Sequence, residues 1–285
     1  MNQLAREFKA GTLALAPLTP TIGVEISGLD LAEPLDQRTL ADLRQALLDW
    51  KVIFFRDQDI TTEQHLAFAR NFGDLEVHPF APSKPGYPEV LAITHDDKSK
   101  GRENVWHSDV TWREVPSLGS ILRALDVPPV GGDTLFSDMY AAYDGLSDAV
   151  KAQIEGKVAV HDFAHFRKGL IRQGKSPAEI EEFNRAYPMM EHPVVRTHPE
   201  TGKKAIYVNA AFTQHIVGMD KAQSDGLLAH LYAQAAIPEY QCRFRWSKNA
   251  IAFWDNRSSQ HYAASDYFPA VRRMERVTVI GDRPV

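Results

Sequence analysis

A histidine and an aspartate stand two positions apart in the segment Trp106-His107-Ser108-Asp109-Val110-Thr111-Trp112. If this segment is extended, the side chains of His107 and Asp109 leave the same face, because strand side chains repeat every second residue. An imidazole and a carboxylate that converge in this way can hold a metal ion or act as a proton-transfer pair. A histidine hydrogen-bonded to a nearby aspartate at a loop edge is the alternative, and the pair alone favours that alternative.

A third possible metal ligand lies far downstream, where Trp254-Asp255-Asn256-Arg257-Ser258-Ser259-Gln260-His261 ends in a histidine. Two histidines and one carboxylate occupy one face of an octahedral metal and leave the opposite face open, as in non-haem Fe(II) oxygenases. Distance along the chain does not fix distance in space, so the set His107, Asp109 and His261 is a hypothesis. His161 and Asp162 could form another metal pair, which we rank below the first.

Composition limits the classes of protein that this chain can represent. With 285 residues, 44% of them hydrophobic, it can bury a sizeable core, and we expect one β-rich domain over residues 1–285. The net charge of -5 argues against nucleic-acid binding. A single cysteine, Cys242, excludes an internal disulfide and suits a reducing compartment, so a cytoplasmic protein is expected. Residues 1–15 show no secretory signal, and no run approaches the roughly 20 apolar residues of a membrane span.

Hydrophobic periodicity predicts helices between short strands. Leucines at helical spacing predict an amphipathic helix over 36–50, and Thr61 with Gln64 forms a capping box that begins a second helix. Further helices are predicted over 147–156, 176–187 and 220–236. Strands are predicted at 21–28, 51–55, 119–125, 192–197, 205–209, 243–246, 250–254 and 275–280. This order favours a mostly β fold with helical cover (α+β), a double-stranded β-helix or jelly roll.

Three loops carry residues that could line a site. His78 and Phe80 lie in a proline-rich loop, and such loops are plausible pocket walls. The polar segment 98–104 contains Gly101 and is predicted to be a mobile loop that could act as a lid. The turn at 131–133 delivers Thr134 onto the following strand.

These blocks together resemble the TauD/TfdA family of Fe(II)- and 2-oxoglutarate-dependent dioxygenases. The resemblance covers nearly the whole chain and includes the motifs Val52-Ile53-Phe54-Phe55-Arg56, Trp106-His107-Ser108-Asp109-Val110-Thr111, Gly131-Gly132-Asp133-Thr134, His192-Pro193-Val194-Val195-Arg196-Thr197-His198-Pro199 and Trp254-Asp255-Asn256-Arg257. So many matching blocks in one order make chance similarity improbable.

The resemblance implies a role for each site residue. His107, Asp109 and His261 would hold iron, Thr134 and Arg272 would bind a 2-oxoglutarate carboxylate, and Arg276 and His78 would contact the substrate anion. An arginine fork matches a carboxylate bidentately. Arg272 and Arg276 are an even number of positions apart on one predicted strand, so both can point inward. Val110 and Phe212, with the loop around Phe80, would exclude water.

For activity, the resemblance implies that O2 and 2-oxoglutarate are consumed, succinate and CO2 are released, and a small organic anion is hydroxylated. A sulfonate such as taurine, which would give sulfite and an aldehyde, is the first expectation. Family members dedicated to taurine contact its amine with a tyrosine and an asparagine, and the ungapped positions here hold Ala81 and Glu103, with Asn104 one place away. An alkyl sulfate ester or an aryloxyalkanoate is therefore an alternative substrate.

Two other classes of protein remain open at this point. The chain could be a non-catalytic metal-binding jelly roll that holds an anion, or a zinc hydrolase that uses the same ligands. We expect a small anionic partner, no nucleic acid and no membrane. Relatives suggest a homo-oligomer, a dimer or a tetramer.

Overall fold

The computed structural model describes residues 8–10 and 13–285. The absence of a secretory signal was predicted for residues 1–15. Of these, residues 1–7, 11 and 12 lie outside the described residues. The helices are α1 (Gln37–Trp50), α2 (Thr62–Arg70), α3 (Met139–Asp144), α4 (Asp148–Ile154), α5 (Ala164–Arg172), α6 (Pro177–Ala186) and α7 (Lys221–Gln234). Within the described ranges, every helix is too short or too polar to cross a lipid bilayer.

The strands are mostly short and are distributed along the whole described chain. They are β1 (Phe8–Ala10), β2 (Leu13–Pro17), β3 (Val24–Ser27), β4 (Val52–Phe55), β5 (Ser83–Lys84), β6 (Tyr87–His95), β7 (Ser117–Asp126), β8 (Thr134–Asp138), β9 (Val158–His161), β10 (Met190–Pro193), β11 (Val195–Thr197), β12 (Lys204–Ile206), β13 (Thr213–Ile216), β14 (Gln241–Phe244), β15 (Ile251–Asp255), β16 (Ser259–Ala263) and β17 (Arg272–Ile280).

Two facing sheets form the frame of the jelly roll. Among the described residues, the larger sheet has the order β1-β2-β3-β4-β15-β7-β17-β6-β5, and the smaller sheet has the order β14-β8-β16. Aromatic side chains fill the space between them: Phe54 of β4 stacks on Phe244 of β14, with ring centroids 4.0 Å apart, and meets Phe136 of β8 edge-on. The predicted jelly roll with helical cover is confirmed.

Helices α1 and α2 cover the outer face of the larger sheet. Asp36 caps α1 by accepting from the backbone N–H of Thr39, and the predicted capping box of Thr61 and Gln64 opens α2. Their apolar stripes pack with the outward side chains of β4, β15 and β17 into one buried cluster that includes Leu43 and Phe68. This cover leaves the space between the two sheets for the site.

Several predicted elements differ from the structure. The expected strand 192–197 is divided: β10 pairs with β9, whereas β11 forms a hairpin with β12. Helices α3 and α5 and strands β1, β2, β5, β6, β9, β13 and β16 were not predicted; α3 and β16, with six and five residues, are too short to show a clear period. Cys242 is buried, with only 2% of its surface exposed.

Candidate active site

Two imidazoles meet because their backbones pair across an isolated antiparallel bridge. The N–H of His107 donates to the carbonyl oxygen of His261 at 3.1 Å, and the reverse bond is 2.8 Å long. The two ring centroids are 4.2 Å apart. The bridge therefore sets the separation of two histidines that lie more than 150 positions apart in the chain.

Asp109 does not continue an extended segment, so the extended conformation considered for residues 106–112 is not observed. Only His107 forms a bridge; the chain then turns, and Val110 has a φ of 48°. A β-branched residue rarely adopts this backbone, so the surroundings must hold it. The N–H of Asp109 donates to Oδ1 of Asn256 at 3.1 Å, which anchors the turn to the chain just before β16.

The turn nevertheless brings the carboxylate to the imidazoles. Oδ1 of Asp109 lies 3.9 Å from Nε2 of His107 and 3.9 Å from Nε2 of His261. All three potential ligand atoms lie within 4.8 Å of one another, in the one group of this kind among the described residues. Nδ1 of His107 is bonded to the carbonyl oxygen of Val105 at 2.8 Å, which leaves Nε2 with its lone pair. This donor set fits a divalent transition metal with open positions.

The charges of the three side chains suit metal binding. Burial, reinforced by His107, lowers the pKa of His261 to about 3, so its imidazole is neutral. Burial alone would raise the pKa of Asp109, but the charge of Arg276 and the hydrogen bond from Ser120 bring it below its usual value. A neutral imidazole and an ionised carboxylate are the forms that coordinate metals.

Arg272 and Thr134 lie together around Trp246. The indole Nε1–H of Trp246 donates to Oγ1 of Thr134 at 2.9 Å, and Cζ of Arg272 lies 5.9 Å from the Trp246 ring. Arg272 is only 5% exposed, and its Nε and Nη2 atoms have no hydrogen-bond partner among the described residues. Burial lowers the pKa of this guanidinium, as expected for a cation without an adjacent anion. The orphaned donors fit a carboxylate.

A cavity of about 280 Å³ opens beside the three ligands. Apolar side chains form much of its wall, and charged groups lie at the ligand end and at Glu103. It is lined by His78, Ala81, Pro82, Leu91, Ala92, Ile93, Thr94, His95, Glu103, His107, Asp109, Val110, Phe166, Phe212 and Arg276. Of the residues expected to contact substrate, Asn104 is exposed and does not line the cavity, whereas its neighbour Glu103 does. Glu103 lies at the rim of the cavity, with 51% of its side chain exposed, and a role for Asn104 in substrate binding stays a prediction.

His78 is held as a neutral hydrogen-bond donor to the cavity. Its Nδ1 accepts from the backbone N–H groups of Phe80 and Ala81 at 3.1 Å each, so the ring proton sits on Nε2. Burial, followed by the charges of Arg276 and Arg113, lowers the pKa of His78 to about 3. The imidazole is thus fixed in one tautomer beside Arg276.

Aromatic side chains pack together around the loop that contains Phe80. Val110 and Phe212 belong to one buried cluster with Trp112 and Phe163, against which Phe80 packs. Phe80 stacks on Phe163 with ring centroids 5.2 Å apart. This cluster closes one side of the metal-ligand end of the cavity.

Some residues that support the site were not identified from sequence. Ser120 donates from Oγ to Oδ2 of Asp109 at 2.8 Å, and Asn256 and Trp246 hold Asp109 and Thr134 as described. A serine inside the apolar run 119–125 was the available signal, because buried hydroxyls need a partner.

The other possible metal pair, His161 and Asp162, makes different contacts: Arg167 binds both carboxylate oxygens of Asp162, and His161 bonds Thr111.

In this jelly roll, two histidines joined by a backbone bridge and a carboxylate from the following turn lie beside a cavity that contains an arginine, an arrangement typical of non-haem metal oxygenases. The family model "Taurine catabolism dioxygenase TauD, TfdA family" matches residues 14–278. The chain belongs to this family, and it is an α-ketoglutarate (2-oxoglutarate)-dependent dioxygenase.

Relatives of the chain cover almost all of it. An "Alkylsulfatase" of Acinetobacter baylyi is 37% identical, over 95% of this chain and 86% of the relative. An "Alpha-ketoglutarate-dependent sulfate ester dioxygenase" of Pseudomonas putida is 35% identical, over 99% of this chain and 94% of the relative. The solved structure of a taurine dioxygenase from Burkholderia xenovorans has a TM-score of 0.83 and 38% identity, over 96% of this chain and 91% of that chain.

Proposed function

We propose that the protein binds Fe(II) through His107, Asp109 and His261, and binds 2-oxoglutarate through Arg272 and Thr134. We further propose that it hydroxylates a small organic anion, preferentially an alkyl sulfate ester. The shape and charge of the cavity support this substrate class. Arg276 lies beside the metal ligands His107 and Asp109, and apolar side chains form much of the remaining wall.

The three ligands fit Fe(II) because two neutral imidazoles and one carboxylate leave coordination positions free. When bound, the iron with 2-oxoglutarate and O2 supplies the oxidation of a substrate C–H bond, with release of succinate and CO2. The chain holds the ligands: Val105 fixes the tautomer of His107, and Ser120 fixes one oxygen of Asp109. Such outer contacts orient ligands and tune metal affinity.

Arg272 is the proposed partner of the 2-oxoglutarate carboxylate remote from the metal. Its two orphaned buried donors, Nε and Nη2, match the two oxygens of one carboxylate. The hydroxyl of Thr134, which accepts from the indole N–H of Trp246, would complete this recognition.

Arg276 and His78 are the proposed anion site for the substrate. Arg276 is bonded to Asp109 only through Nη1, and its buried Nε has no partner among the described residues. His78 offers Nε2–H to the same cavity. A sulfate group has enough acceptor oxygens to take both donors, and a buried cation beside an apolar wall favours an anion with an apolar tail.

Hydroxylation next to the ester oxygen would release the sulfate without a separate hydrolytic group. The carbon that bears the sulfate gains a hydroxyl, the C–O bond to sulfate breaks, and the hydroxyl proton leaves as the carbonyl forms. The products are an aldehyde and hydrogen sulfate. The chain's contribution is to hold the anion so that this carbon faces the metal ligands.

Taurine is the second candidate, favoured by Glu103. This carboxylate lines the cavity and could accept the ammonium of taurine. We rank taurine second because Ala81 stands where dedicated enzymes have a tyrosine, and because the wall between Glu103 and the ligands is largely apolar. An aryloxyalkanoate would also give Arg276 an anion.

A substrate panel tests the proposal. Hexyl sulfate, hexanesulfonate, taurine and an aryloxyacetate are each incubated with enzyme, Fe(II), 2-oxoglutarate and O2, and succinate, sulfate, sulfite and aldehyde are measured. We expect equal amounts of succinate, sulfate and hexanal from hexyl sulfate, at a higher kcat/KM than sulfite release from taurine. A higher kcat/KM for taurine would instead support the second candidate.

A zinc control separates oxidation from hydrolysis. Zinc-loaded protein under nitrogen is expected to release no sulfate. Sulfate with hexanol and without succinate would contradict the proposal and support a hydrolase.

A further inference from the structure

His95 lies between the proposed 2-oxoglutarate pocket and the substrate cavity. It belongs to neither of the ligand-binding sets proposed above. It is the last residue of β6 and pairs directly with Arg272 of β17. The side chain is 8% exposed and lines the substrate cavity. A polar ring in this position contacts both the co-substrate wall and the loop that follows β6.

On the co-substrate side, His95 holds Tyr267. Nδ1 of His95 and the hydroxyl of Tyr267 are 2.6 Å apart and share a hydrogen bond. The Tyr267 ring in turn lies 5.8 Å from Cζ of Arg272, within cation–π range. Burial raises the pKa of Tyr267, so it keeps its O–H and can donate to Nδ1.

On the substrate side, His95 faces the segment 98–104. Nε2 of His95 lies 3.7 Å from Oε1 of Glu103, the carboxylate that lines the cavity. Gly101 packs directly on the pair: a Cβ added there would lie 2.7 Å from the Tyr267 hydroxyl and 3.0 Å from Nδ1 of His95. The loop thus reaches this pair at a point where only glycine fits.

We propose that His95 is a positioning residue that fastens the 98–104 loop to the 2-oxoglutarate pocket, so that binding of 2-oxoglutarate at Arg272 fixes the loop that carries Glu103. The inference rests on the proposed role of Arg272. The order of contacts is Arg272, Tyr267, His95 and then Glu103. One ring nitrogen faces each neighbour: Nδ1 shares the hydrogen bond with Tyr267, and Nε2 faces the Glu103 carboxylate at 3.7 Å, an electrostatic contact longer than a hydrogen bond.

Limited trypsin digestion tests the link without any turnover. Lys98, Lys100 and Arg102 are exposed cleavage sites within the loop. Lys203 in the β11–β12 turn and Lys204 at the start of β12 are also exposed and provide an internal reference. The full-length protein is digested with Mn(II) under nitrogen, with and without 2-oxoglutarate. We expect 2-oxoglutarate to slow cleavage in the loop by about fivefold relative to the reference, the upper range for a partly exposed charged contact.

Variants of His95 separate its two contacts. In His95→Ala, loop cleavage should be fast with or without 2-oxoglutarate. The amide of Asn reaches roughly the position of Nδ1, and the amide of Gln roughly that of Nε2. His95→Asn should therefore keep the affinity for 2-oxoglutarate, measured by calorimetry, and lose the protection of the loop. His95→Gln should weaken 2-oxoglutarate binding by about fivefold. Arg273→Ala, at an exposed position beside Arg272, is the matched control and should behave like the wild type.

The outcomes are distinguishable. If the wild type does not bind 2-oxoglutarate, the proposed function fails. If it binds 2-oxoglutarate but loop cleavage is the same in wild type and His95→Ala, the proposed function stands and the role of His95 is overturned. Equal effects of His95→Asn and His95→Gln on both readouts would also overturn it, because a general loss of folding does not distinguish the two nitrogens.

Discussion

Arg276 and Asp109 form a hydrogen-bonded ion pair in which Nη1 of the guanidinium donates to Oδ1 of the carboxylate at 2.8 Å. The same Oδ1 faces both histidines, while Oδ2 accepts from Ser120. The residue proposed to bind the substrate anion and a proposed metal ligand therefore share one oxygen atom. We infer that changes at Arg276 will alter metal binding as well as substrate binding.

Removal of Asp109 should abolish metal-dependent turnover. Asp109→Ala leaves two neutral imidazoles and takes away the anionic ligand, so calorimetry should detect no Fe(II) or Mn(II) binding at micromolar protein, and succinate formation should cease. The exposed Asp97→Ala is the matched control. Full activity in Asp109→Ala would remove this residue from the proposed ligands.

Ser120 should affect the affinity for the metal without coordinating it. Ser120→Ala deletes the hydrogen bond to Oδ2 of Asp109 and leaves the carboxylate less well oriented. Loss of such outer contacts lowers metal affinity by about 10- to 100-fold, and we expect an effect of this size on the Kd for Mn(II). Thermal unfolding measured without metal shows whether the variant stays folded. An unchanged Kd in a folded variant would contradict the prediction.

Substitutions of Arg272 and Arg276 should raise the KM of different ligands. Arg272→Ala should raise the KM for 2-oxoglutarate by about 10- to 100-fold, since a charged hydrogen bond contributes about 1.5–3 kcal/mol. Arg276→Ala should act mainly on the KM for the substrate. Arg273→Ala, whose side chain is exposed between them on β17, should change neither value. Equal effects of the first two variants on both KM values would show that their roles are misassigned.

Buried histidines should make the fold sensitive to acid. Burial, followed by the charge of Arg123, lowers the pKa of His65 to about 3 from 6.5. Its contribution to stability is fully present above about pH 6.5 and is lost as the pH falls toward 3, because the unfolded chain takes up the proton first. We expect His65→Gln to reduce the slope of the unfolding free energy by about 1.4 kcal/mol per pH unit between about pH 4.5 and 6, measured with urea. His230→Gln, at an exposed position, should keep the wild-type slope.

Gly119 should tolerate no side chain. An added Cβ would lie 2.3 Å from the backbone oxygen of Trp254, so Gly119→Ala must separate β7 from β15 at the centre of the larger sheet. We expect a loss of about 3 kcal/mol or more in unfolding free energy. Gly226→Ala in α7 meets nothing within 4 Å and should stabilise the helix by about 1 kcal/mol. Similar stabilities for the two variants would refute the steric argument.

Local sequence signals predicted several elements closely. Asp36 and the pair Thr61 and Gln64 mark the starts of α1 and α2, because caps and capping boxes are formed by residues within one turn. The run 52–55 is buried at every position, as its apolar composition predicted. The turn that delivers Thr134 onto β8 also follows from its glycines.

The sequence by itself determined which side chains the site could use: two histidines, an aspartate and two arginines in motifs that resemble one family. Only the tertiary structure decided that Asp109 reaches the histidines from a turn, that Glu103 rather than Asn104 faces the cavity, and that Arg276 bonds Asp109. Caps and periodicity depend on neighbours within a few residues. These contacts join residues up to 167 positions apart, and they form only when β7, β16 and β17 have been placed by packing.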